Sequence, residues 1–147
     1  MSGMDGQHLG MRLSTAVVAF HEAVGTHLGV TAVDQRAYAI VAGEGRMSAG
    51  DLAKRLALTP GAVTGIADRL ERAGILTRTP DPADRRRVLL TANPGAYGDL
   101  LAGLGAAMSA LTATYTPAEQ QTIADWVTRT IDILREQTQR LTDNHPR

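Results

Sequence analysis

Three consecutive guanidinium groups, Arg85-Arg86-Arg87, follow the tight-turn sequence Asp81-Pro82-Ala83-Asp84. Charges on an exposed loop commonly form a solvated face with no partner. Here two acids lie inside the turn itself, and Asp84 is placed to accept a bidentate bond from Arg86. An arginine at the tip of a hairpin suits the narrow minor groove of duplex DNA, where the potential is most negative. The turn also has a suggestive neighbour. Residues 59–91 read TPGAVTGIADRLERAGILTRTPDPADRRRVLLT: a capped helix, a terminating glycine, a strand, the arginine turn and a returning strand. A helix followed at once by such a hairpin can place the helix in a major groove and the hairpin on the adjacent backbone or minor groove.

The helix supports that chemistry by its faces. At 100° per residue Val63, Ile66, Ala67 and Leu70 share one side and are expected to face a core. Gly61, Gly65, Asp68 and Arg72 lie roughly opposite, with Ala62, Thr64 and Arg69 at the flanks. Gly61, Ala62 and Gly65 would let the helix backbone approach a groove closely. Thr59, Thr64 and the free N–H groups behind Pro60 can meet phosphate oxygens. Taken alone, the segment reads better as an ordinary amphipathic surface helix, on which small exposed residues mean nothing. The three-arginine turn beside it is what favours a nucleic-acid face.

Charge distribution agrees. The 147 residues carry 15 basic and 15 acidic side chains, a net charge of zero. Between Arg46 and Thr91, however, nine basic residues face five acids, so this stretch is +4 and the remainder −4. The positive part coincides with the candidate reading unit. Hydrophobic residues make up 44% and aromatics only 3%, so the core must be built from Leu, Val, Ile and Ala, which favours helix packing over a β-sandwich. There is no cysteine, which removes disulfides, thiolate zinc sites and thiol-based sensing. The start lacks a basic n-region and an apolar h-region. The longest early apolar run, residues 16–20, is far short of a membrane span. A soluble cytoplasmic protein with no membrane partner is expected.

The elements that must position the reading unit follow from periodicity and caps. Leu9, Leu13, Ala16, Val17, Phe20, Val24 and Leu28 recur at spacings of three and four and predict a helix over 8–28. Thr31 with Asp34 forms a capping box for a second helix, buried through Ala37, Ile40 and Val41 and ended by Gly43-Glu44-Gly45. Ser48 with Asp51 opens a third helix, Ala49–Leu56. Thr59 caps a fourth, with Pro60 at its first position, running to Ala73 before Gly74. Residues 75–79 and 88–91 predict a two-stranded wing. Tyr97, Leu100, Leu101, Leu104, Met108 and Leu111 predict a fifth helix over 96–114. Thr116-Pro117 with Glu119 starts the last, striped by Ile123, Trp126, Val127, Ile131, Leu134 and Leu141, with a frayed tail over 142–147. One copy has few helices on which to bury the outer stripes, so symmetric pairing through the chain ends is the economical arrangement.

These residues resemble the MarR family of winged-helix transcription regulators over about positions 9–141. The resemblance is most specific from Leu52-Ala53 through the TPGAVTGIADRLERAG helix to the DPADRRR turn and Leu90-Thr91. It implies a mainly α fold with a small β wing, a winged helix-turn-helix over 31–92 flanked by dimerisation helices at 1–30 and 93–147. It implies a homodimer reading two half-sites of a pseudo-palindromic operator in double-stranded DNA, commonly as a repressor released by a small aromatic or anionic effector. Carried over by position, residues 59–65 (Thr59, Pro60, Gly61, Ala62, Thr64 and Gly65 among them) would form the groove-reading turn. Arg69 would be a phosphate or framework arginine, Asp84 the wing aspartate, Arg86 the minor-groove arginine, and Arg85 and Arg87 auxiliaries. Three positions depart from the family pattern. Gly65 stands where many relatives carry a longer polar side chain, Ala57 stands where a glycine often closes the turn, and the fifth helix opens glycine-rich at Gly95, Gly98, Gly103 and Gly105.

Other signals are weaker. His8, His21, His27 and His145 lack the spacing of a metal site, and no metal or cofactor is expected. His21, Arg36 and Tyr38 could line an effector cavity beside the second helix, or serve packing and solvent roles. Trp126 reads as an anchor of a dimer core. Neither a phosphate loop, a nucleophile elbow nor a paired-carboxylate cleft is present, so an enzyme is not expected. The competing function is a winged helix kept as a protein-interaction module, which would have no reason to retain three wing arginines.

Overall fold

The computed structural model describes residues 6–144; His145 and the end of the expected frayed tail lie outside that range. The order is α1 (Gly6–Leu28), α2 (Ala32–Glu44), β1 (Arg46–Ser48), α3 (Ala49–Leu56), α4 (Pro60–Arg72), β2 (Leu76–Pro80), β3 (Val88–Ala92), α5 (Gly95–Thr112) and α6 (Pro117–Asp143). The chain divides into two compact units between Ala102 and Gly103, within α5.

In the first unit the expected caps are in place. Thr31 and Asp34 close a full capping box on α2, Ser48 caps α3 and Thr59 caps α4 with Pro60 in its first turn. Each supplies acceptors for N–H groups that the helix cannot satisfy itself. The core forms where the apolar faces meet: Val41 of α2, Leu52 of α3, Val63 and Leu70 of α4, Ile75, and Leu90 of β3 are almost completely buried. Full burial of one such side chain contributes about 1.5–3 kcal/mol. Gly25 sits where α1 turns toward α2. An added Cβ would lie 2.5 Å from the Val30 carbonyl oxygen, so the corner has room only for glycine.

The wing is one strand larger than the sequence indicated. The sheet has the order β1-β3-β2, with β3 antiparallel to both neighbours. Arg46 pairs with Thr91 and Ser48 with Leu89 on one side, and Leu76 pairs with Ala92 and Pro80 with Val88 on the other. β1 has only three residues and ends in the cap of α3, so no alternating pattern betrays it; it exists because β3 offers an open edge. Beyond the sheet the Asn93 N–H donates to the Ile75 carbonyl at 2.9 Å, and its side-chain amide to Thr77 Oγ1 at 2.6 Å. These bonds close the base of the wing.

In the second unit the end of α5 turns into α6. Gln120 Nε2 donates to the carbonyls of Thr112 and Tyr115 at 3.1 and 2.9 Å, and Thr116 with Glu119 closes a second capping box. No described residue of this unit is buried. Its apolar stripe, including Met108, Leu111, Trp126, Ile131 and Leu134, is open to solvent, as are Leu9, Met11, Leu13, Val17 and Val18 along α1. Among the described residues no single helix is long and apolar enough to cross a membrane.

Candidate nucleic-acid interface

α3 and α4 meet at a tight turn held by Ala57, whose backbone is left-handed at φ 54°, ψ 43°. Its N–H donates to the Lys54 carbonyl at 3.2 Å, and the Leu58 N–H to that of Ala53 at 3.0 Å. From there α4 buries Val63, Ile66, Ala67 and Leu70, the face that the periodicity assigned to the core. Pro60, Gly61, Ala62 and Thr64 are exposed and Gly65 is half-buried. Thr59 Oγ1 accepts the Ala62 N–H at 3.2 Å, and Thr64 Oγ1 donates to the Pro60 carbonyl at 3.1 Å. Both hydroxyls therefore hold the first turn in shape while standing at its surface. No Cβ clash compels glycine at 61 or 65: nothing lies within 4 Å of an added Cβ at Gly61, and only Arg69 Nη1, at 3.5 Å, near one at Gly65. The bareness of this face is therefore not imposed by packing within the chain.

The wing turn differs from expectation in one respect. Asp84 takes no bidentate bond from the Arg86 guanidinium; its Oδ1 accepts the Arg86 backbone N–H at 3.0 Å. Asp81 does the same for the Ala83 N–H at 2.9 Å. A short aspartate reaches the N–H two residues on more readily than it reaches the end of a long side chain. The Arg87 N–H donates to the Asp84 carbonyl and the Asp81 N–H to that of Arg87. Both acids are thus spent on the backbone, and the Arg85 and Arg86 guanidiniums have no ion-pair partner among the described residues. Arg87 is paired at the surface instead, 3.3 Å from Asp51 at the start of α3.

Two further arginines tie α4 to its surroundings. Arg69 grips Asp34 of α2 with both Nε and Nη2 at 2.8 Å, which favours the framework alternative for this residue. Asp34 is fully buried and also accepts the Thr31 N–H at 2.7 Å. Burial works to raise the Asp34 carboxyl pKa, but the Arg69 and Thr31 hydrogen bonds together hold it below the ordinary carboxylate value. Arg78 of β2 reaches Asp68 at 2.7 Å and Glu71 at 2.6 Å on α4, fastening the wing to the helix. Sequence reasoning missed Asp34 and Arg78 for the site: Asp34 lies 35 residues from Arg69, and Arg78, though only seven residues from Glu71, meets it across the turn from helix to strand, where no single periodicity links them. The Asp34 capping signal was visible, but it concealed a second role.

A separate cleft of about 380 Å³ lies beside α1 and α2, lined by Val17, Val18, His21, Glu22, Ala32, Gln35, Arg36, Ala39 and Tyr97. It brings His21 and Arg36 together. Tyr38 is elsewhere: it is buried in the core with its ring 4.6 Å from that of Tyr97, and Tyr97 is the tyrosine that reaches the cleft. His21 is locked by a reciprocal pair. Gln35 Nε2 donates to the His21 carbonyl at 2.7 Å, which leaves Gln35 Oε1 facing His21 Nδ1 at 2.8 Å. Nδ1 must therefore carry a proton, and in the neutral ring Nε2 is left as an acceptor.

A capped helix with a bare outer face, preceded by a short helix across a tight turn and followed by an arginine-tipped wing, is a winged helix-turn-helix. Residues 39–88 match the MarR family model. Across 133 residues the chain is 38% identical to YcgE of Bacillus subtilis, an uncharacterized HTH-type transcriptional regulator, covering 88% of this chain and 86% of that one. Solved structures share the fold. A MarR-like regulator from Thermotoga maritima is 20% identical with a TM-score of 0.63, over 90% of this chain and 98% of that one. A MepR mutant from a clinical isolate of S. aureus is 15% identical with a TM-score of 0.68, over 90% and 99%. Wild-type MarR from E. coli, in its apo form, is 21% identical with a TM-score of 0.56, over 88% and 98%. The chain belongs to the MarR family: it is a DNA-binding transcriptional regulator and not an enzyme.

Proposed function

We propose that the protein acts in the cytoplasm as a homodimeric repressor that holds a pseudo-palindromic operator and releases it when a small molecule binds. The observation that carries the DNA-reading part is the pairing of a bare α4 face with two unpartnered wing guanidiniums. In this reading Thr59, Pro60, Gly61, Ala62, Thr64 and Gly65 enter the major groove, with the α4 N-terminus turned to a phosphate. Arg86 enters the minor groove, Arg85 assists it, Asp84 shapes the wing, and Arg69 and Arg87 brace the frame. The open stripes of α1, α5 and α6 support pairing of two copies, since a monomer rarely leaves so much apolar surface in water. Arg86→Ala is expected to abolish operator binding in a gel-shift titration while the dimer persists in size-exclusion chromatography. Unchanged affinity would remove the wing from the interface.

For control, the cleft beside α2 offers a cationic Arg36 and a His21 acceptor among apolar walls, a setting for a small aromatic or anionic compound. Its occupant would act by favouring a spacing of the two reading heads that no longer matches B-DNA. A panel of phenols and aromatic carboxylates should contain compounds that both raise the melting temperature and release DNA. If every member fails on both counts, effector control by such compounds is wrong.

A further inference from the structure

We propose that Asp34 is the positioning residue for DNA reading: through Arg69 it fixes the angle at which α4 meets the groove, and so governs discrimination between sequences more than attraction to DNA. The inference rests on the reading of α4 as the groove-entering helix.

The geometry is that of a planar lock. The Asp34 carboxylate is fully buried and takes Nε on one oxygen and Nη2 on the other, both at 2.8 Å. A fork meeting a carboxylate through two parallel bonds restrains rotation as well as distance. The oxygen that receives Nε also receives the Thr31 N–H, so the carboxylate is anchored to the first turn of α2 and cannot follow a rolling α4. Arg69 stands one turn beyond Gly65, with Nη1 near the bare face. Any roll of α4 would therefore strain this pair before it moved the reading turn. Stability alone does not require such a pair, because an apolar residue of similar volume often serves a buried position as well or better. A cap on α2 does not require burial either; the box formed by Thr116 and Glu119 on α6 is exposed.

The test uses the full chain and the duplex that the wild-type protein selects most strongly from random sequence. Asp34→Asn preserves shape and some capping but removes the charge; Arg69→Lys keeps the charge but lacks the fork. Both are expected to lower the ratio of selected-duplex to random-duplex affinity about tenfold or more, the loss that follows from misplacing even one base-pair contact. In Arg69→Lys, which leaves the net charge of the face as it was, random-duplex affinity and its salt slope should stay unchanged. Val41→Ala, which opens the α2 core without touching the pair, should leave the ratio intact. If Asp34→Asn does not fold, Arg69→Lys decides alone. The proposal is overturned if the ratio survives in Arg69→Lys, if random binding falls in step with selected binding, or if Val41→Ala loses discrimination equally. A wild-type protein that selects no sequence would overturn both this inference and the DNA-reading assignment beneath it.

Discussion

Ala57 carries a side chain in backbone that favours glycine. Left-handed geometry brings Cβ against the following carbonyl at a cost of roughly 1–2 kcal/mol, and the turn between α3 and α4 requires it here. The departure from the family's usual glycine was legible in the sequence; the positive φ was not, because nothing local obliges an alanine to adopt it. Ala57→Gly should stabilise the fold. Relief of strain is partly offset by the larger unfolded-state entropy of glycine, about 0.4–1 kcal/mol, leaving a net gain of about 0.5–1 kcal/mol and a higher melting temperature in a thermal denaturation. A lower one would mean the turn is not strained. Asp84 teaches the complementary lesson. The sequence marked it as a wing residue, but its partner turned out to be a backbone N–H, since side-chain reach decides between candidates that composition ranks equally.

Among the elements, four of the six helices are legible because they advertise their start, with Thr31, Ser48, Thr59 and Thr116 all capping as expected, while α1 and α5 are legible from their apolar spacing. The buried face of α4 was equally plain from its spacing. β1 is not, because three residues pair only through a strand more than forty positions away; the guanidinium clamps on α4 are hidden because their partners lie on other elements, outside any one helical or strand period. α4 also shows where stability and function pull apart. Gly65 lies mid-helix, and an added Cβ would make only an ordinary contact. Gly65→Ala is thus expected to stabilise the fold by about 1 kcal/mol, the helix-propensity difference, while weakening operator binding by filling the groove-facing side. Calorimetry and a binding titration on the same sample check both halves. A variant that is more stable and binds unchanged would show that DNA does not approach this face closely.

For the whole molecule, the charge map was the informative part of the composition: zero net charge concealed a basic reading segment and acidic flanks. The apolar stripes of the outer helices were visible in sequence, and the structure leaves them open in each unit taken by itself, which is why pairing of two copies belongs to the proposed function. The cleft was only half legible. His21 and Arg36 were named, but Tyr97, distant in sequence, replaces Tyr38. The central claim is that two copies jointly present a helix and a cationic wing to successive turns of one duplex, their centres about 34–36 Å apart. Its most direct test is sedimentation of the protein with a selected duplex and with a version carrying about 5 extra base pairs between the half-sites, half a helical turn. The account predicts two chains bound to the first and loss of that complex on the second. One chain per duplex, or equal binding to both, would contradict it.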